Sequence, residues 1–281
     1  MGATAVGAYS TRAREGAPVS VPLAWDELGP DIRAGHFTLL NLPNRLAFLD
    51  ADPWEGFAAI KQTLPGTPAL EAPSKAELAT YWKKVGKKAL AYLARRPLEL
   101  SRHGPLPAQP KAVHTVRIDD KERFWIDCVE GLLGLVEMGV VELSPWNAKI
   151  DDIERPDMLV FSVAVRNGTD WKKAVDTAGR LRAILLAEGL ESWPKLTGGG
   201  ELQVMVPIEP DLSWPEALRY SEQIAGRLAG AAIGCGYNKR GAAAIGAFSP
   251  RALPGFPVAA PVEWAELQRG VRPDAFTLRR R

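Results

Sequence analysis

The stretch from Trp146 to Pro207 decides the fold. It opens Pro145-Trp146-Asn147-Ala148, passes through Glu154-Arg155-Pro156-Asp157, and enters Met158-Leu159-Val160-Phe161-Ser162-Val163-Ala164-Val165. It closes on Lys195-Leu196-Thr197-Gly198-Gly199-Gly200-Glu201-Leu202-Gln203-Val204-Met205-Val206-Pro207. Alternation and β-branching predict strands over 158–165 and 202–206. Between them Val175, Ala178, Leu181, Ile184 and Leu185 recur at helical spacing, which predicts a helix over 171–188. The Thr197-Gly198-Gly199-Gly200 turn frees backbone N–H groups beside Lys195, an arrangement that suits a phosphate.

This frame resembles the polymerase domain of bacterial ATP-dependent DNA ligase D, an end-joining repair enzyme of the archaeo-eukaryotic primase superfamily. The family's first strand reads close to R-P-D-x-x-V-x-D-x-D-P, and its two aspartates hold the divalent metals of nucleotidyl transfer. Its later turn reads close to K-T-S-G-G-K-G-x-H-x-x-V-P. Arg155, Pro156, Asp157, Lys195, Thr197, Gly198, Gly199, Val206 and Pro207 fall in register with these motifs. The resemblance implies an α+β fold, a primase-polymerase-like β-sheet core packed by helices. It also places Ser162 and Ala164 at the two aspartate positions, Gln203 at the histidine and Gly236 at the third aspartate. None of these can supply the carboxylates that two-metal transfer requires.

The rest of the chain fits one large domain or two small ones at 281 residues. No run of apolar residues is long enough to span a membrane, and the N-terminus lacks a signal-peptide pattern, so a cytoplasmic protein is expected. Cys128 and Cys235 are too few for a disulfide framework or zinc site, which agrees with a reducing compartment. A net charge of +2 says little about nucleic acid, since binders concentrate charge locally. The local clusters are Lys83-Lys84 with Lys87-Lys88, Arg95-Arg96, Lys172-Lys173, Lys239-Arg240 and Arg279-Arg280-Arg281.

An internal repeat shapes the organisation. Residues 2–42 align without gaps onto 241–281, with 19 of 41 positions identical. Gly7-Ala8-Tyr9-Ser10-Thr11-Arg12 mirrors Gly246-Ala247-Phe248-Ser249-Pro250-Arg251, and Trp25, Glu27 and Leu28 mirror Trp264, Glu266 and Leu267. In the family this module occurs once, after the third aspartate. The expected division is an extra module copy at 1–62, a linker at 63–73, a primase-polymerase-like core at 74–240, and a truncated second copy at 241–281. Such a chain reads as the tail of one unit followed by a shortened second unit.

Within the core, Ser74 and Glu77 form a capping box for a helix over 75–95. A strand follows at 97–102, and 103–111 is proline-rich. The family's phenylalanine, glutamine-lysine and histidine group has no counterpart there. His114–Ile118 reads as a replacement strand with a turn at 119–122. A helix over 128–138 ends on Gly139 in a left-handed cap, a strand follows at 140–143, and Trp146 reads as core. Ser213 caps a helix reaching about 228.

Three functions compete. The leading one is a non-catalytic protein of this family that keeps affinity for DNA ends or for other end-joining proteins and needs no cofactor. Its phosphate-facing surface would comprise Lys195, Thr197, Gly198, Gly199, Lys239, Arg240, Ser249 and Arg251, with Ser10 and Arg12 if the N-terminal copy takes that place. The second is a manganese- or magnesium-dependent nucleotidyltransferase with ligands relocated to Asp151, Asp152 or Asp157. The third is a structural or partner-binding remnant. Duplicated modules also allow a homodimer by arm exchange.

Overall fold

The computed structural model describes residues 6–62, 72–102, 107–164, 171–228 and 230–279. Most of the expected linker, the start of the proline-rich run, Val165 and the last two terminal arginines lie outside them. The chain divides into two compact units, 1–68 and 69–281.

The first unit is built mostly from turns around one short helix, α1 (Leu42–Phe48), which has Pro43 in its first turn. Val19 and Leu42 are its buried apolar residues among those described. Polar contacts do much of the ordering. Arg45 Nη2 reaches Glu27 at 2.8 Å and the Pro22 carbonyl at 3.0 Å, while Tyr9 Oη donates to Asp52 at 2.7 Å.

The second unit contains two antiparallel sheets where one was expected. The elements leading to the first are α2 (Lys75–Leu93), β1 (Leu98–Arg102), β2 (His114–Ile118), β3 (Lys121–Trp125), α3 (Val129–Glu137) and β4 (Val140–Pro145). The strand order is β2-β3-β1-β4. The reciprocal Ser74–Glu77 capping box starts α2, and Gly139 at φ 76° follows α3, as the residue types predict. The turn expected at 119–122 is tighter. Asp119 and Asp120 both take positive φ (48° and 60°), so Lys121 and Glu122 already pair in β3. Helices α2 and α3 meet closely at Gly86, where a Cβ would lie 3.2 Å from Leu132. Leu78, Trp82, Leu93, Leu132, Leu135 and Leu143 fill this core.

The second sheet follows as β5 (Met158–Ala164), α4 (Trp171–Ala187), β6 (Trp193–Leu196), β7 (Glu201–Pro207), α5 (Trp214–Gly226), β8 (Ile233–Gly234), β9 (Ala260–Pro261) and α6 (Trp264–Gln268). Its order is β8-β5-β7-β6-β9. Leu159, Phe161, Val163, Leu202, Val204 and Val206 alternate onto one face and pack with Ala178, Leu181, Leu185 and Ala217. Period-2 alternation sends Met158, Val160, Ser162, Ala164, Glu201, Gln203 and Met205 to the other face. A buried ion pair, Arg96 to Asp157 at 2.6 and 2.7 Å, fixes the loop before β5, and Trp214 Nε1 donates to the Ile153 carbonyl.

The C-terminal module shares much of its backbone hydrogen bonding with its N-terminal counterpart, although α6 (Trp264–Gln268) stands where the first copy has a 3-10 turn at Trp25–Glu27. Phe248 N to Ala259 O (2.7 Å) matches Tyr9 N to Ser20 O (2.6 Å), and Val258 N to Phe276 O (2.9 Å) matches Val19 N to Phe37 O (2.8 Å). Tyr9 and Phe248 both adopt left-handed φ, 59° and 65°, and so do Ala17 and Phe256. Among the described residues no helix is long and apolar enough to cross a membrane.

Candidate functional site

Strand register lays one row of residues across the second sheet. Gly234 of β8 stands opposite Ser162 of β5, which faces Gln203 of β7, then Lys195 of β6, then Pro261 of β9. Three of the five, Ser162, Gln203 and Lys195, are positions singled out in the sequence. Gly234, two residues before the Gly236 expected at the third aspartate, is the β8 residue opposite Ser162. A Cβ on Gly234 would lie 3.6 Å from that of Ser162, whereas one on Gly236 would have nothing within 4 Å.

The row is closed rather than open. Lys195 is 3 % exposed, and its Nζ donates to the Ile245 carbonyl at 2.5 Å. Burial pushes its amine down to about 7; the Glu201 carboxylate opposes that shift and the Arg251 guanidinium adds to it. Gln203 is fully buried, donates through Nε2 to Glu201 at 3.3 Å, and leaves Oε1 without a partner. Tyr237 Oη also donates to Glu201, at 3.1 Å. Burial, together with that carboxylate, raises the Tyr237 phenol.

The glycine turn is covered as well. Thr197 Oγ1 donates to the Glu201 carbonyl at 2.7 Å and accepts from Gly199 N at 3.3 Å. Gly198 sits at φ 68°, where a Cβ would meet Pro257 at 3.0 Å and Arg251 at 3.3 Å. Arg251 bridges Glu142 at 3.1 Å and the Thr197 carbonyl at 2.7 Å. Ser249 is fully buried; its Oγ accepts from Leu143 N at 2.8 Å and donates to the Pro250 carbonyl. These residues do converge. They converge on one another, as the joint between the C-terminal module and the two sheets, and not as a bare phosphate cradle.

Within the second unit, Lys239 and Arg240 take no part in those contacts. Lys239 is exposed. Arg240 is held by Glu154 at 2.7 Å and by Asp119, which together raise its already high pKa. Ser10 and Arg12 are exposed in the first unit, unlike their counterparts Ser249 and Arg251. Sequence reasoning passed over Glu201, the carboxylate directly after the glycine run, and Glu142. It also passed over Asn238, whose side chain clamps both backbone groups of Val160 at 2.7 and 3.1 Å.

The donor set does not suit a pair of divalent metals. Such ions prefer several carboxylate oxygens, and among the described residues the face of β5 and β7 offers Glu201 alone, already bonded to Tyr237 and Gln203 and interacting with the Lys195 ammonium. The relocated ligands do not reach it. Asp151 pairs with Arg95, Asp152 with Arg155, and Asp157 with Arg96. Among the described residues no three His, Cys, Asp or Glu side chains come together to hold an ion.

Comparison with known proteins agrees with this architecture. The multifunctional non-homologous end joining protein LigD of Pseudomonas aeruginosa is 30% identical over 236 residues, which is 71% of this chain and 28% of the relative. The chain therefore spans under a third of that relative's length. The solved polymerase domain from Mycobacterium tuberculosis ligase D, in complex with DNA, shares the fold with a TM-score of 0.63 at 20% identity, covering 75% of this chain and 91% of that one. The family model for the LigD primase-polymerase domain matches residues 1–54, 74–234 and 235–281. With nearly every described element inside those three matches, the chain belongs to the LigD primase-polymerase domain family.

Proposed function

We propose that this protein is a non-catalytic member of its family that acts in end joining by binding DNA ends. The non-catalytic half is supported by Ser162 and Ala164, which stand where the resembling first-strand motif has aspartates, by Gly234 opposite Ser162, and by the ion pairs that tie the relocation candidates to arginines. The DNA-binding half is supported by the relative solved with DNA and by exposed cations. Those cations are Lys239 together with Lys83, Lys84, Lys87 and Lys88 on the solvent side of α2. Lys195, Thr197 and Ser249 belong to this reading as struts that hold the C-terminal module, not as groups that touch phosphate.

The test has two arms. A labelled, 5′-phosphorylated recessed-end DNA is titrated by fluorescence anisotropy at low and then rising salt, and nucleotide addition to a primer is assayed with manganese. Binding that weakens steeply with salt, with no addition, is expected. Binding that is absent even at low salt removes the DNA half. Addition that is lost on changing Asp151, Asp152 or Asp157 removes the non-catalytic half.

A further inference from the structure

The two module copies differ sharply in what they bury. Trp264 and Leu267 of the C-terminal copy are 8 % and 1 % exposed, while Trp25 and Leu28, at the same places in the N-terminal copy, are 90 % and 55 % exposed. An apolar face of this kind on a folded unit marks a docking surface. What covers it is legible from the C-terminal copy, which occupies a built seat. There Trp264 Nε1 donates to the Ser192 carbonyl at 2.6 Å and Val262 N to the Pro194 carbonyl at 3.1 Å. Ala260 and Pro261 pair along β6. Ser249 receives the Leu143 amide and Arg251 meets Glu142.

The N-terminal copy keeps each side chain that makes these polar contacts, as Trp25, Ser10 and Arg12. Its backbone supplies the equivalent of the Val262 amide at Leu23. The shared hydrogen bonds hold the Ser10 and Arg12 backbone as they hold that of Ser249 and Arg251, while Trp25 begins a short 3-10 turn where Trp264 begins α6. The copy also continues into α1, with Phe48 and Trp54 exposed, where the C-terminal copy has come to its end.

We infer that the N-terminal module is a spare for this seat, and that it completes the core of a second copy of this chain when that copy's own C-terminal module leaves. The described residues hold two modules and one seat, so among them one module is in surplus. Exchange between intact chains therefore gains only the difference between two similar modules. Emptying the seat makes the exchange visible, because the incoming module then replaces a full set of lost contacts.

The experiment uses the full chain with Trp264→Asp, which unseats the C-terminal module, and measures mass by light scattering across a concentration series. A species of doubled mass that grows with concentration, and that disappears when Trp25→Asp is added, is expected. Trp264→Asp that stays monomeric, or that dimerises regardless of Trp25→Asp, overturns the inference; the latter outcome would mean another surface pairs. Should Trp264→Asp not fold, the same question is put to otherwise unaltered chains. One carries Arg12→Cys and the other Glu142→Cys, mixed with a short bis-maleimide. A cross-link between the two introduced thiols, lost with Trp25→Asp, supports exchange, and its absence rejects it.

Discussion

Lys195 Nζ donates to the carbonyl of Ile245 at 2.5 Å, tying the central row of the second sheet to the start of the C-terminal module. Lys195 is 3 % exposed and, among the described residues, its ammonium is bonded to a neutral carbonyl rather than to a carboxylate, which is why burial dominates its titration. The sign of the pH effect follows. The unfolded chain holds this proton up to about 10.4, whereas the folded chain holds it only up to about 7. Between those values the unfolded state binds more protons, so stability rises with pH. The thermal midpoint of the unaltered chain should climb from pH 7 to 10 relative to a Lys195→Met variant. Parallel curves for the two proteins would refute this.

Equivalent glycines should respond oppositely to the same substitution. A Cβ at Gly246 would sit 2.6 Å from Leu93 and 2.9 Å from the Leu143 carbonyl, while one at Gly7 would have nothing within 4 Å. Overpacking of this kind costs roughly 1–3 kcal/mol. Urea unfolding should show Gly246→Ala destabilised by about that much, with Gly7→Ala within about 0.5 kcal/mol of the unaltered chain.

The Arg96–Asp157 pair anchors the loop that leads into β5, and both side chains are largely buried. Asp157→Ala would strand a buried guanidinium, at a cost of about 3–5 kcal/mol. Arg96→Met with Asp157→Leu, which removes both charges, should recover much of that loss. Chemical denaturation of the single and double variants measures it.

Restoring carboxylates to the row should restore ion binding. With Ser162→Asp, Ala164→Asp and Gly234→Asp together, like charges would crowd one end of the sheet and favour a divalent cation between them. Manganese should then raise the melting temperature of the triple variant. The shift should correspond to about 2.7 kcal/mol at an ion concentration near 100 times Kd. The unaltered chain should not respond. A response of equal size in both proteins would place the ion elsewhere.

What the sequence by itself determined was local. Alternation fixed β5 and β7, helical spacing fixed α2, α3, α4 and α5, Ser74 with Glu77 marked the start of α2, and Gly139 marked the end of α3. Self-similarity of residues 2–42 and 241–281 was also readable, because 19 of 41 identities need no coordinates. Tertiary structure decided the partners. That the β2–β3 hairpin joins a sheet separate from β5 to β9 depends on long-range pairing, which leaves no periodic signature in either strand. Gly234, and not the Gly236 that motif spacing picks out, stands opposite Ser162, because strand register sets that pairing. Lys195, Thr197 and Ser249 looked like phosphate ligands by residue type, since an exposed and a buried lysine are spelled alike. Only packing showed their donors already spent on carbonyls. The same reason separates Trp25 from Trp264: the same residue type in two aligned copies, exposed at the start of a 3-10 turn in one and buried at the start of α6 in the other.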